Sequence, residues 1–335
     1  MSKVFIHGTG AVSPAGWGVA ALRDALKKNA PLPAQNLARP GWENPLSVRP
    51  VPPPATRPAF MTHARLRRAS AMAQHTVAAA LEALGTDAMR VQTGELRLGI
   101  IVCMMAGGVA YSRRFYEEVL RDPAMASPLI FPETVFNAPA SHLGAYLNSP
   151  AINYTLVGDA GTFLQGLALA ADWLDNDQAD GCLVVGVEEM DWIVADAIRL
   201  FRRATIYAAG AGAVYLKKNL PAAVELAAIT DSFTFTKKQT YLVAARLMES
   251  QLPAGDIHEL FCVSDDNNNF TRVGQSGQQI APKAIIGEAF VASAAWQCVT
   301  ACDAISCGKF TAANVSVVGA NQQAIGARFE RNEII

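Results

Sequence analysis

The sequence predicts an α/β protein with one large layered core, and three observations carry that expectation. Residues 98–103, 152–157 and 181–187 are short, mostly apolar runs that read as strands buried on both faces. Longer stretches with helical spacing alternate with them. Apolar residues make up 51% of the 335 positions and charged residues only 17%, enough to bury a sizeable core.

The elements follow in order. Residues 4–7 read as a strand running into a Gly8-Thr9-Gly10 turn, and residues 17–28 and 65–84 as helices. Between them, residues 31–58 hold nine of the eighteen prolines, which marks an extended surface excursion. The unit from strand 152–157 through an apolar helix at 160–174 to strand 181–187 has the length of a βαβ crossover. Further strands are expected at 213–216, 224–229, 260–263, 315–318 and 324–329, and helices at 240–249 and 288–306. Two similar α/β halves suit this order: residues 1–220, with the proline-rich excursion at 29–60, and residues 221–335.

Composition narrows the function. A net charge of -1 gives no case for nucleic-acid binding. The N-terminus enters a strand at once, with no signal peptide and no membrane span, so a cytoplasmic protein is expected. The six cysteines form no CxxC pair. Cys298 and Cys302 share a helix face without a nearby histidine, so reduced core thiols fit better than zinc. His7, His63, His75 and His258 show no metal spacing, and Gly8-Thr9-Gly10 is no dinucleotide fingerprint. Neither cofactor nor metal is expected.

Asp159-Ala160-Gly161-Thr162 is the most informative segment. A strand turning into the N-terminus of a buried helix is a place where free N–H groups favour an anion and a cysteine ionises easily. Asp159 occupies the place of a helix N-cap. The chain then offers alanine and glycine. The Thr162 hydroxyl reads as satisfying helix N–H groups, since no histidine close in sequence activates it.

Several segments occur together in a familiar order. They are the opening 4–16, Ser127-Pro128-Leu129-Ile130-Phe131-Pro132 with Asn137 and His142-Leu143, Val184 to Glu188, Gly210-Ala211-Gly212-Ala213, Lys283 with Gly287 and the small residues 292–295, and 314–321. In that order the chain resembles the β-ketoacyl-acyl-carrier-protein synthases of fatty acid and polyketide biosynthesis. The resemblance implies the thiolase fold, two α/β halves in an αβαβα stack. It also implies a nucleophilic cysteine about twenty positions before the acidic start of the next strand. Counting back from Asp180 gives Ala160, or Gly161 with a slip of one. The second histidine, five positions after Lys283, falls on Glu288, and the first falls in the turn at Asp265-Asp266-Asn267. His142 matches a histidine outside the catalytic set.

All three catalytic positions are therefore replaced, with Lys283 retained. Condensation needs a thiolate to form a thioester and donors to hold an enolate oxygen. Ionised Asp265 and Glu288 would place negative charge where negative charge develops, and an ion pair with Lys283 is their expected role. The resemblance points to a chain-length-factor type of subunit that pairs with an active ketosynthase, meets an acyl carrier protein and helps to wall the acyl tunnel. Leu129, Ile130, Phe131, Thr134 and Phe136 form the expected contact loop, with Ile130 reaching towards the partner's pocket. Phe115 and Tyr116 on a nearby helix are expected to set tunnel depth. Arginines at 57, 65, 67, 68, 113, 114, 202 and 203 offer either docking for an acidic carrier or solvated helix faces. Two other classes stay open: a thiolase-fold enzyme using Asp265, Asp266 or Glu288 as base, and a homodimeric acyl or carrier-protein binding module. Residues 190–263 and 306–315 are short for the family, which implies an open or missing pocket.

Overall fold

The computed structural model describes residues 3–236, 238–256, 259–265, 277–320 and 323–332. Its first strand, β1 (Val4–Ser13), runs straight through Gly8-Thr9-Gly10, where a turn was expected. A bulge between Ile6 and Gly8 bends it. The glycines serve packing: a Cβ at Gly8 or Gly10 would collide with the carbonyl of Ala83 or Ala79 on the helix above.

After β2 (Gly16–Trp17), α1 (Val19–Lys28) ends on Asn29 in the left-handed conformation, with Lys27 and Lys28 at its negative pole. The proline-rich excursion is built as a ladder: β3 (Gln35–Leu37) pairs antiparallel with β4 (Leu46–Arg49). α2 (Ala71–Leu84) starts at Ser70, whose hydroxyl accepts from the Ala73 amide; the expected earlier start is a separate 3-10 turn, Leu66–Arg68. The chain continues through α3 (Asp87–Gln92), β5 (Leu98–Met104), α4 (Val109–Arg121), α5 (Ala138–Tyr146), β6 (Asn153–Val157), α6 (Thr162–Asp175) and β7 (Gly181–Glu188). Then come α7 (Trp192–Phe201), β8 (Tyr207–Ala208) and β9 (Gly210–Lys218). Gly210 and Gly212 lie inside β9 rather than in a turn before it. A Cβ on Gly212 would lie 2.7 Å from that of Ala295.

The second part holds β10 (Val224–Ile229), β11 (Phe233–Thr234), α8 (Lys238–Ser250), β12 (Leu260–Ser264), β13 (Gln278–Ile280), α9 (Pro282–Ile286), α10 (Phe290–Ser306), β14 (Ala312–Val318) and β15 (Gln323–Arg331). Strands follow the order β13-β12-β14-β15-β10-β1-β9-β7-β5-β6. From either end the path makes two parallel pairings and then two antiparallel ones. One five-stranded pattern is thus used twice, with α6 and α10 in equivalent places. Those two helices, apolar nearly all round, are sandwiched between the halves. α2 with α5 covers one outer face and α8 the other. This is the αβαβα stack.

One strand differs from its reading. β6 was expected to be buried on both faces, but among the described residues it is last in the sheet, pairs only with β5, and leaves Tyr154 and Val157 half exposed.

Candidate functional site

The turn between β6 and α6 is fixed by Asp159. Its carboxylate accepts from the Ala160 amide (2.8 Å) and from the Ala320 amide across the chain (3.1 Å). Gly161, not Asp159, is the cap residue of α6, and no side chain caps that helix. The expected capping by the Thr162 hydroxyl is therefore not seen. A Cβ on Gly319 would overlap the Asp159 carboxylate, so the loop after β14 closes tightly on this turn. Ala160 and Thr162 are both buried. Position 161 has no room for a side chain: a Cβ there would lie 2.5 Å from Gln323 Oε1 and 2.7 Å from Ile325 Cγ2.

On the other side of the same loop lies an ion cluster. Lys283 on α9 donates to Asp265 Oδ1 (2.7 Å) and Glu288 Oε2 (3.0 Å), with all three side chains almost buried. Asp265 also accepts from Gln297 Nε2 (3.1 Å) and from the Val318 amide. Glu288 Oε1 takes the Phe290 amide at 2.8 Å, at the start of α10. Phe290 holds a φ of 40°, and Gly287 before it a φ of 111°. Burial pushes the Asp265 carboxyl up despite Lys283 beside it. Burial alone would lower Lys283, but the two carboxylates outweigh it and hold the ammonium charged. The expected ion pair is thus present with both acids. A polar cavity of about 210 Å³ opens on it, lined also by Arg49, Arg202, Thr205 and Tyr241, so the shortened segments leave a pocket. Asp266, Asn267, His258 and Asn321 lie outside the described residues.

No described histidine serves the turn. His7 contacts the Leu220 carbonyl, His75 lies edge-on to Trp17, and His63 edge-on to Tyr146. His142 bonds buried Glu133 at 2.5 Å, and Glu133 accepts from the Ser70 amide at 3.0 Å, a structural tie between α5 and the start of α2. Among the described residues, no group of three or more metal-ligating side chains occurs and no helix is long and apolar enough to cross a membrane.

The contact loop is exposed, with one exception. Leu129 (75% exposed), Phe131 and Phe136 face outward, as does Tyr116 on α4. Phe115 packs on Phe131 with ring centroids 5.5 Å apart. The Thr134 hydroxyl closes the turn on the Phe131 carbonyl (2.8 Å). Ile130 was expected to project, yet it is only 5% exposed and belongs to its own chain's core. The 3-10 turn Phe131–Glu133 that begins here rotates it inward. Of the arginines, Arg113 pairs with Glu117 and Asp191, and Arg114 with Glu118, as on a solvated helix face.

Two groups of site residues carried no signal in the sequence. Arg49 sits in the proline-rich excursion, where nothing marks it as reaching a pocket. Glu188 and Glu189 end β7 buried, accepting the Met105, Ala106 and Ala110 amides after β5. Burial pushes them up to about 8 and about 7.

No family model and no curated protein matches the sequence. Solved structures do. The ishigamide ketosynthase/chain length factor superposes with a TM-score of 0.75 at 16% identity, covering 98% of this chain and 99% of that one. A type II polyketide synthase acyl-carrier protein in complex with its ketosynthase bound to the hexaketide gives 0.77 at 15% identity, covering 99% of each chain. A β-ketoacyl synthase from Burkholderia phymatum gives 0.78 at 13% identity, covering 99% of this chain and 100% of that one. Over nearly its whole length the chain has the thiolase-like fold of these ketosynthase structures.

Proposed function

We propose that this chain is a non-condensing, ketosynthase-like subunit of the chain-length-factor type, which pairs with an active β-ketoacyl synthase and shapes its acyl tunnel. The observation that carries the reading is Lys283 locked between Asp265 and Glu288 beside a turn that presents Ala160 and no thiol. With Lys283 taken up by two carboxylates, the lysine has no donor free to hold an enolate oxygen. The surface supports pairing. β6 offers an unpaired edge, and near it Leu129, Phe131, Val135 and Phe136 expose apolar area of the kind that a partner covers. Fatty acid, polyketide or polyene synthesis in the cytoplasm, with an acyl carrier protein delivering the chain, is the setting in which such a subunit works.

Co-expression with a ketosynthase from the same organism tests the pairing. A stable one-to-one complex in size-exclusion chromatography with light scattering is expected, with this chain aggregating when produced alone. A well-behaved homodimer that forms no complex refutes it. Turnover of acyl thioesters by the isolated chain would instead favour a thiolase-fold enzyme of different activity.

A further inference from the structure

Among the described residues, five basic side chains are buried or nearly so: Arg39, Arg49, Lys217, Lys283 and Arg328. Four of them have a carboxylate. Arg39 pairs with Asp196 (2.6 Å), Lys217 with Asp87, Arg328 with Glu330 (2.9 Å), and Lys283 with its two acids. Arg49 has none. Its Nε donates to the Leu32 carbonyl (2.7 Å), and among the described residues no acceptor takes its terminal nitrogens. A buried cation without a counter-charge is costly and calls for an explanation. Burial also lowers its pKa with no acid to oppose the effect.

The frame around Arg49 is rigid. β4 pairs parallel with β8, which sets Arg49 opposite Ala208. The Ala208 amide donates to the Glu288 carbonyl (2.8 Å), and the Leu32 amide to the Ile285 carbonyl (2.9 Å). The proline-rich excursion thereby delivers a guanidinium to the wall of the 210 Å³ cavity, with Arg202 also on its lining. Three cations line that cavity against two carboxylates, and Lys283 is already matched by both acids. Lys283 with its two acids sums to one negative charge, so Arg49 and Arg202 together leave one positive charge uncompensated on the lining.

We propose that this cavity is an oxyanion-binding site, in which the terminal nitrogens of Arg49 grip a carboxylate or phosphate group of a small ligand and Arg202 adds charge beside it. A guanidinium fork matches two oxygens of either group. The polar lining suits an anionic head group and not an acyl chain. The assignment stands on Arg49 and is independent of pairing with a ketosynthase.

Isothermal titration of the full chain with malonate and with inorganic phosphate tests it, in the complex if the chain requires its partner. Saturable binding of at least one anion is expected. Malonate alone would point to a carboxylate ligand, and phosphate alone to a phosphate ester. Arg49→Met should weaken binding at least about tenfold, the loss of a charge-assisted fork. Arg49→Lys should fall between, because it keeps the charge without the fork, and the exposed Arg202→Gln should weaken binding several-fold without affecting folding. Thermal melts without anion should show Arg49→Met as stable as the wild type or more so, since the unmatched charge is gone. The proposal is overturned if neither anion binds saturably up to about 10 mM, or if Arg49→Met and Arg49→Lys bind like the wild type.

Discussion

Replacing Lys283 with methionine tests whether the Lys283 cluster is a structural unit. Methionine fills similar space but leaves Asp265 and Glu288 in near burial without their cation. Removing one member of a buried ion pair costs about 3–5 kcal/mol. Unfolding entropy of roughly 2.1 cal/mol/K per residue over 335 residues is about 0.7 kcal/mol/K, so 4 kcal/mol is about 6 °C in Tm. The pH dependence gives the argument its sign. Burial already raises Asp265, and without Lys283 it rises further. A carboxyl raised in the folded state costs stability as pH climbs from its unfolded value through its folded one. The raised Lys283 of the wild type acts in a higher window: its contribution is complete below the ordinary lysine pKa and is lost only as pH rises through the folded value. Lys283→Met should therefore be mild near pH 4 and full near pH 8. Urea denaturation at both pH values measures this, and adding Asp265→Asn should recover much of the loss at pH 8. An equal loss at both pH values, or one below about 1 kcal/mol at pH 8, would refute the structural role.

Three further outcomes follow from the geometry. Ala160→Cys and Thr162→Cys should each leave the chain unable to condense malonyl and acyl thioesters, because Asp265 and Glu288 still occupy the donor places; product from either single variant would contradict this. Ile130→Ala should cost the chain about 2–5 kcal/mol of its own stability without altering the length of the partner's product, whereas Phe131→Ala should alter that length with little change in Tm; the reverse pattern would restore Ile130 as the projecting residue. Glu188 and Glu189, raised to about 8 and about 7 by burial, bind protons in the folded state that the unfolded chain has released. Stability should thus fall by a few kcal/mol as pH rises from about 4.5 to 8, and a flat profile in chemical denaturation would sink that reading.

What the sequence made legible was periodicity. The runs at 98–103, 181–187 and 315–318 became β5, β7 and β14 because each is buried on both faces, and apolar continuity reports that burial directly. The same signal misread β6, since composition cannot tell a central strand from a last one. Ile130 failed for a related reason: the family resemblance places it in the loop, but a 3-10 turn decides which way it faces. Arg49 was invisible because its role depends on a parallel pairing with β8, far away in sequence. The Lys283 cluster was legible in part. The family resemblance singled out Lys283 and Glu288, while Gln297 and the Val318 amide reach Asp265 only through the fold.

The topological duplication brings two helix starts together beside one loop. α6 and α10 occupy equivalent places in the two halves, and both begin at the site. A helix start carries positive charge and free amides, which is what an anionic intermediate needs. Here the chain fills both starts with its own carboxylates: Asp159 on the Ala160 amide just before α6, and Glu288 on the Phe290 amide at the start of α10. Asp159 is tied further to Ala320, and Asp265 to Val318, so a single loop is clamped from both sides. Restoring a thiol alone would meet helix ends already engaged. An external anion must then find its charge elsewhere, and the other described cations lining the adjoining cavity are Arg49 and Arg202. The two helix starts and the loop between them form a closed internal network, and the oxyanion site proposed above draws instead on Arg49 of the proline-rich excursion.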